Sequence, residues 1–219
     1  MRTRVWLLLV ALSMVGCATD ELPTLALVGF HGLKVEDEGC TYTDAQMSSS
    51  TYDTGLATTY GQPFNVYVHL RNELNALANP DVGQVEANRV EVRSMRVTFE
   101  GADWSELPAP IELPVTGMII DPDGDYWSNV TPITTREAAI FDRQFSTGEG
   151  EVKDLRIRLS FSGTTSDGSY VESNGLSYLV RVCRGCVSCP SGQVMRSGCA
   201  MAFAQADGVV CEEVEDPFP

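Results

Sequence analysis

This chain is poor in the residue types from which most enzyme sites and nucleic-acid surfaces are built. It has two histidines, His31 and His69, in 219 residues, and 15 Lys and Arg against 30 Asp and Glu, a formal net charge of −15. A surface with that balance repels phosphates and anionic headgroups, which argues against nucleic acid as a partner. Solubility is a sufficient reason for the charge. No G-x-S-x-G motif occurs, so the strand-to-helix nucleophile turn of hydrolases has no counterpart here. No apolar run approaches the roughly 20 residues that a membrane-spanning helix requires. Sustained helical periodicity is scarce too, which leaves period-2 patterning as the main structural signal. Taken together, these gaps point to a non-catalytic protein.

What is present begins at the N-terminus. A basic start at Met1 to Arg4 is followed by the apolar stretch Val5 to Leu12 and a small-residue end at Ser13 to Gly16, the three-part layout of an export signal. The signal leads into Met14-Val15-Gly16-Cys17, which resembles the lipobox of bacterial lipoproteins, with Met14 where leucine is usual. That resemblance covers residues 1–17. It implies that the Cys17 thiol receives a diacylglyceryl group, that the bond before it is cut, and that the new N-terminus is acylated. It also implies, with Ala18 rather than aspartate after the lipidated residue, sorting to the outer membrane, facing either the periplasm or the cell surface. Each buried methylene contributes about 0.8 kcal/mol, so two or three chains make a stable anchor where one does not.

Removing residues 1–16 leaves 203 residues and deepens the net charge to −17, because Arg2 and Arg4 depart with the signal. It also leaves six cysteines besides Cys17: Cys40, Cys183, Cys186, Cys189, Cys199 and Cys211. An even number outside the cytosol reads as three disulfides, with 15 connectivities open. Five of the six fall in the last 37 residues, so full pairing requires one long-range bridge from Cys40. Such a bridge is worth about 5 kcal/mol in the chain-entropy model. The spacing Cys183-x2-Cys186 also occurs in thiol oxidoreductases, and Cys189 beside it echoes iron–sulfur and zinc ligands. Those motifs belong in other settings, however, and no βαβ pattern surrounds this one.

The body alternates with period 2. Phe64, Val66, Val68 and Leu70 share one face of a strand, with His69 on the other. Leu155, Ile157, Leu159 and Phe161 share another, and a Gly163-to-Gly168 turn leads on to Tyr170 and Val171 as a hairpin. In Val90 to Phe99 the apolar parity switches between Val92 and Met95, which predicts a bulge near Ser94 or two short strands. Leu176 to Val182 is expected to be the last strand, delivering Cys183 at its end, and Thr41 to Gln62 a polar loop or edge strand. Turn punctuation falls at Asn79-Pro80-Asp81, Pro108-Ala109-Pro110 and Asp121-Pro122-Asp123-Gly124. The fold class expected is all-β: an antiparallel β-sandwich, resembling immunoglobulin-like domains in architecture only, with a disulfide-rich C-terminal tail. The chain then divides into a signal (1–16), a lipidated tether (17–25), a sandwich (26–182) and a cysteine-rich tail (183–219).

Two further groups carry possible chemistry. Asp121, Asp123 and Asp125 alternate as in the first half of a calcium loop, but Tyr126 and Pro132 stand where such a loop needs glycine and glutamate. A β-turn with a solvated acidic rim is the competing reading. Calcium is the single cofactor the sequence suggests. Trp104, Tyr126, Trp127 and Tyr60 lie near polar turns and form a candidate platform for sugar rings, unless they belong to the core. The role expected is therefore binding or structural, at the cell envelope, with the membrane as one partner through the lipid and an envelope polysaccharide or protein as another; the alternatives are a thiol-disulfide or metal-binding protein using Cys183, Cys186 and Cys189, and a carbohydrate-binding or hydrolytic β-sandwich. Cells fed labelled palmitate should tag the wild-type chain and leave a Cys17→Ser variant unlabelled, and equal labelling of the two would overturn the lipoprotein assignment.

Overall fold

A computed structural model describes residues 24–36, 39–77, 86–146, 151–197, 204–206 and 209–213. Cys17, Cys199, the Asn79-Pro80-Asp81 turn and the side chain of Cys40 lie outside the described residues. In chain order the elements are β1 (Leu25–Glu36), β2 (Gly39–Gln46), β3 (Ser49–Asp53), α1 (Thr54–Tyr60), β4 (Phe64–Asn72), β5 (Val90–Glu100) and β6 (Ile111–Ile120). They continue as β7 (Asp125–Ile133), α2 (Thr135–Asp142), β8 (Val152–Thr165), β9 (Tyr170–Glu172), β10 (Leu176–Cys183), β11 (Gln193–Ser197) and β12 (Val209–Glu213).

Two sheets face each other. One is four-stranded in the order β2-β1-β4-β7, and the other runs β3-β10-β8-β5-β6 with β9 added alongside β8. All pairs are antiparallel except β3 with β10, which is parallel. The expected alternation builds this core: Phe64, Val66, Val68 and Leu70 are buried from one sheet, and Leu155, Ile157, Leu159 and Phe161 from the other. Across the interface Tyr178 meets Phe30 at 5.0 Å and Phe64 at 6.2 Å between ring centroids. Each such side chain, fully buried, stabilises by about 1.5–3 kcal/mol, so burial of one parity per strand dominates the energetics.

The parity switch in β5 is a bulge, not a break. Its register slips between Val92 and Ser94 against both β6 and β8, which lets Val92 and Met95 face inward from one continuous strand. Other expectations need correction. Leu176 to Val182 is not the last strand, because the tail carries the β11–β12 hairpin beyond it. Thr41 to Gln62 does supply edge strands, most of β2 and all of β3, each at the end of its sheet, but it also holds α1. The helices are short and depend on their caps. Asp53 caps α1, whose C-terminal end is closed by Gly61 at φ 66°, and Thr134 with Glu137 forms a capping box on α2.

A buried carboxylate ties the tail to this body. Parallel pairing sets Asp53 beside Cys183. The Asp53 Oδ1 accepts N–H bonds from Gly55 (2.9 Å), Leu56 (3.2 Å) and Gly185 (3.0 Å), and Oδ2 accepts one from Val187 (3.0 Å). Gly185 makes the turn possible at φ 73°. A second tie lies nearby: the Gln205 amide both accepts from the Asn65 N–H and donates to the Asn65 carbonyl, each at 2.9 Å, while the Ala204 carbonyl accepts from the Asp53 N–H at 2.8 Å. Tail residues 204–205 thus extend the hydrogen-bonding of the sandwich. Because Asp53 is fully buried, removing its carboxylate strands several donors. Asp53→Ala should cost about 3 kcal/mol or more in urea unfolding, and Asp53→Asn, which keeps the three bonds at Oδ1, roughly half of that. A loss under about 1 kcal/mol for the alanine variant would contradict this role.

Candidate functional site

Strand parity that buries one face of the four-stranded sheet turns Tyr67 and His69 of β4, and Asp125, Trp127 and Asn129 of β7, outward. Pairing sets His69 directly opposite Trp127 and Tyr67 opposite Asn129. On the other flank of β4, Gly29 and His31 of β1 lie opposite His69 and Tyr67. Beyond β1, Tyr42 of β2 completes the row.

The rings form a continuous surface. Tyr42 stacks on Tyr67 with 3.4 Å between centroids and 7° between planes. Tyr67 lies 5.8 Å from Trp127 at 26°. His69 stacks on Trp127 at 4.0 Å and 7°, and His31 meets the same indole edge-on at 4.6 Å. Trp127 keeps 40% of its surface exposed, whereas His31 keeps 4%. Both histidines of the chain therefore pack against one exposed indole.

Their polar atoms are set by neighbours. His69 Nε2 lies 2.6 Å from Asp125 Oδ1, which fixes the imidazole in its stack. His69 is more enclosed than alternation suggested, because Trp127 covers it. His31 Nδ1 donates to the Thr43 carbonyl at 2.9 Å, and its Nε2 is buried without a hydrogen-bond partner among the described residues. Burial raises the Tyr42 hydroxyl above its ordinary value, and the neighbouring Tyr67 adds to the effect. Tyr67 is raised in the same way, first by burial and then by Tyr126.

Of the four aromatics singled out in the sequence, only Trp127 lies in this row. Trp104 is core: it packs against Phe141 at 4.9 Å, and its indole N–H donates to the Asp154 carbonyl at 2.8 Å. The Tyr126 hydroxyl donates to the Gly117 carbonyl at 3.3 Å. Tyr60 stands exposed at the end of α1. The platform residues that sequence reasoning missed are Tyr42, Tyr67 and His31. For Tyr67 the signal was present, since it shares the outward parity of His69.

The three alternating aspartates do not converge. Asp121 pairs with Arg89 at 2.7 Å and Asp125 with His69, while Asp123 occupies the left-handed position of a β-turn, φ 53°, closed by the Gly124 N–H donating to the Asp121 carbonyl. Among the described residues, the one group of three potential metal ligands with donor atoms within 4.8 Å of each other is Asp53, Cys183 and Cys186. Its two sulfurs are already joined. Cys183 bonds to Cys186 and Cys189 to Cys211, across Cα separations of 5.9 and 5.5 Å. No family model matches the chain, and no curated protein matches it either.

The raised hydroxyls give a pH signature. A tyrosine whose folded pKa exceeds its unfolded value near 10 contributes stability that is complete below that value and lost as pH rises through the folded one. Urea midpoints should therefore fall between about pH 10 and the raised values, and fall less in a Tyr42→Phe/Tyr67→Phe variant. Parallel curves for the two proteins would contradict the assignment.

Proposed function

We propose that this chain is a non-catalytic binding module, anchored to the cell envelope through lipid on Cys17, and that the aromatic row on its four-stranded sheet contacts an envelope polysaccharide. The observation that carries the ligand assignment is the exposed Trp127, stacked against His69 and followed along the sheet by the stacked pair Tyr67 and Tyr42. Flat rings with polar edges suit a ligand with apolar C–H faces and hydroxyl rims, which describes a pyranose. Exposed tryptophan and tyrosine are also the residues that concentrate binding energy where they are held rigidly.

Two features support the compartment: the lipobox-like residues, which suit export and acylation, and the bridges Cys183–Cys186 and Cys189–Cys211, which suit an oxidising environment. β1 begins at Leu25, and the eight residues from Cys17 reach at most about 28 Å when extended, so lipid on Cys17 would hold the sandwich close to the bilayer.

A structural role for the Cys183–Cys186 bridge fits better than a redox one. Cys183 is fully buried, and the Asp53 carboxylate lies within 4.8 Å of both sulfurs. Negative charge there opposes the thiolate that a thiol oxidoreductase must form.

Retention of the mature protein on peptidoglycan sacculi and on extracted outer-membrane polysaccharide tests this reading. The wild-type chain should be retained on one of them, and Trp127→Ala should weaken retention at least about tenfold with the fold intact. A wild-type chain that passes both matrices, or a Trp127→Ala variant retained equally, would overturn it.

A further inference from the structure

On the opposite side of the molecule, the outer face of the β3-β10-β8-β5-β6 sheet carries five arginines: Arg93 and Arg96 on β5, Arg156 and Arg158 on β8, and Arg181 on β10. Arg93 pairs with Glu91 on its own strand at 3.1 Å. Three have an acid directly across the ladder, Arg156 with Glu100, Arg181 with Asp154 and Arg96 with Glu112, which lies on the opposite side of Arg96 from Ser160. Arg158 has none and sits between Thr98 and Ser177. Neither Arg96 nor Arg158 forms an ion pair among the described residues.

Arg96 and Arg158 stand diagonally on adjacent strands and line a cleft of about 390 Å³, together with Thr98, Ser160, Glu172 and Gly175. The lone carboxylate among these, Glu172, is beyond 4.0 Å of both guanidinium groups and takes the Tyr170 hydroxyl at 3.4 Å instead. Two like charges placed at diagonal cross-strand positions repel each other unless a counter-charge bridges them. The position of Arg158 is also specific: its guanidinium lies against Gly175, where an added Cβ would come within 2.4 Å of Nε.

We infer that this cleft binds a tetrahedral oxyanion, a phosphate or sulfate group, gripped between Arg96 and Arg158 with the Thr98 and Ser160 hydroxyls beside it. Each guanidinium offers a planar fork that takes two acceptor oxygens. Two forks from two strands therefore suit a group with four oxygens better than a carboxylate with two. The chain's overall negative charge does not prevent this, since charges beyond about 8 Å are largely screened at physiological salt.

Calorimetric titration of the mature protein with inorganic phosphate and with glucose 6-phosphate, at ionic strength held constant with chloride, tests the site. Saturable binding of either probe, weakened at least about tenfold in Arg96→Ser/Arg158→Ser and unchanged in Arg156→Ser, supports it. Gly175→Ala, which displaces the Arg158 guanidinium without removing charge, should weaken binding several-fold. Tighter binding of the sugar phosphate than of the free ion would identify a phosphorylated glycan as the source, and equal binding the free anion. Absence of saturation with both probes, or a double variant that binds as the wild type does, would overturn the inference.

Discussion

One constraint organises this protein: each strand that covers the core must spend one side-chain parity on it. The buried set, Phe64 to Leu70 from one sheet and Leu155 to Phe161 from the other, is ordinary in composition and interchangeable in principle with other apolar residues of similar volume. Its consequence is less ordinary. The second parity is forced outward in register, so that residues far apart in sequence line up across strands. Tyr42, Tyr67 and Trp127 become neighbours in that way on one sheet, and Arg96 and Arg158 on the other. The two outer faces thus acquire different chemistry from the same folding rule, one aromatic and one with interspersed arginines and acids.

Polar interactions hold what the core does not reach. Among the described residues beyond β10, Ala204 joins the buried core, and the Cys189–Cys211 disulfide ties β12 to the segment before β11. The tail's polar attachment to the sandwich is made by Asp53, which gathers N–H groups from α1 and from the Cys183–Cys186 turn, and by the Gln205 amide on Asn65. These contacts satisfy donors that burial would otherwise leave unpaired, which is why a single carboxylate matters so much there.

How much of this was legible in the sequence depended on range. Alternation is a local signal, and it marks β4, β8 and β10 directly, while in β5 the parity switch fits either a bulge or two short strands until the register decides. The helices escaped because seven or eight residues are too few for periodicity. Only their caps mark them, Asp53 before Thr54 and the Thr134-x-x-Glu137 box. The aromatic row was half visible: parity pointed Tyr67 and His69 outward, but nothing in a single sequence tells that β7 lies beside β4 or β2 beside β1. Without that adjacency, Trp104 and Trp127 looked alike, and one is core while the other is exposed. For the Asp121-Asp123-Asp125 pattern, spacing along a chain does not show that Arg89 pairs with Asp121 and His69 with Asp125. Among 15 possible connectivities, the pairings Cys183–Cys186 and Cys189–Cys211 likewise needed the fold.

The account of function rests on the outer face of the four-stranded sheet as a contact surface, held near a membrane by a short lipidated arm. The mature chain offers an internal comparison for it. Cleavage at the proposed site before Cys17 would remove Trp6 and leave two indoles, Trp104 inside and Trp127 outside. Nitrogen-15 spectra recorded during titration with soluble envelope-polysaccharide fragments report on both at once. The account predicts that the Trp127 indole signal shifts together with amides of β4 and β7 while the Trp104 signal stays in place. Binding that moves neither Trp127 nor its neighbours, or that moves Trp104 instead, would contradict it.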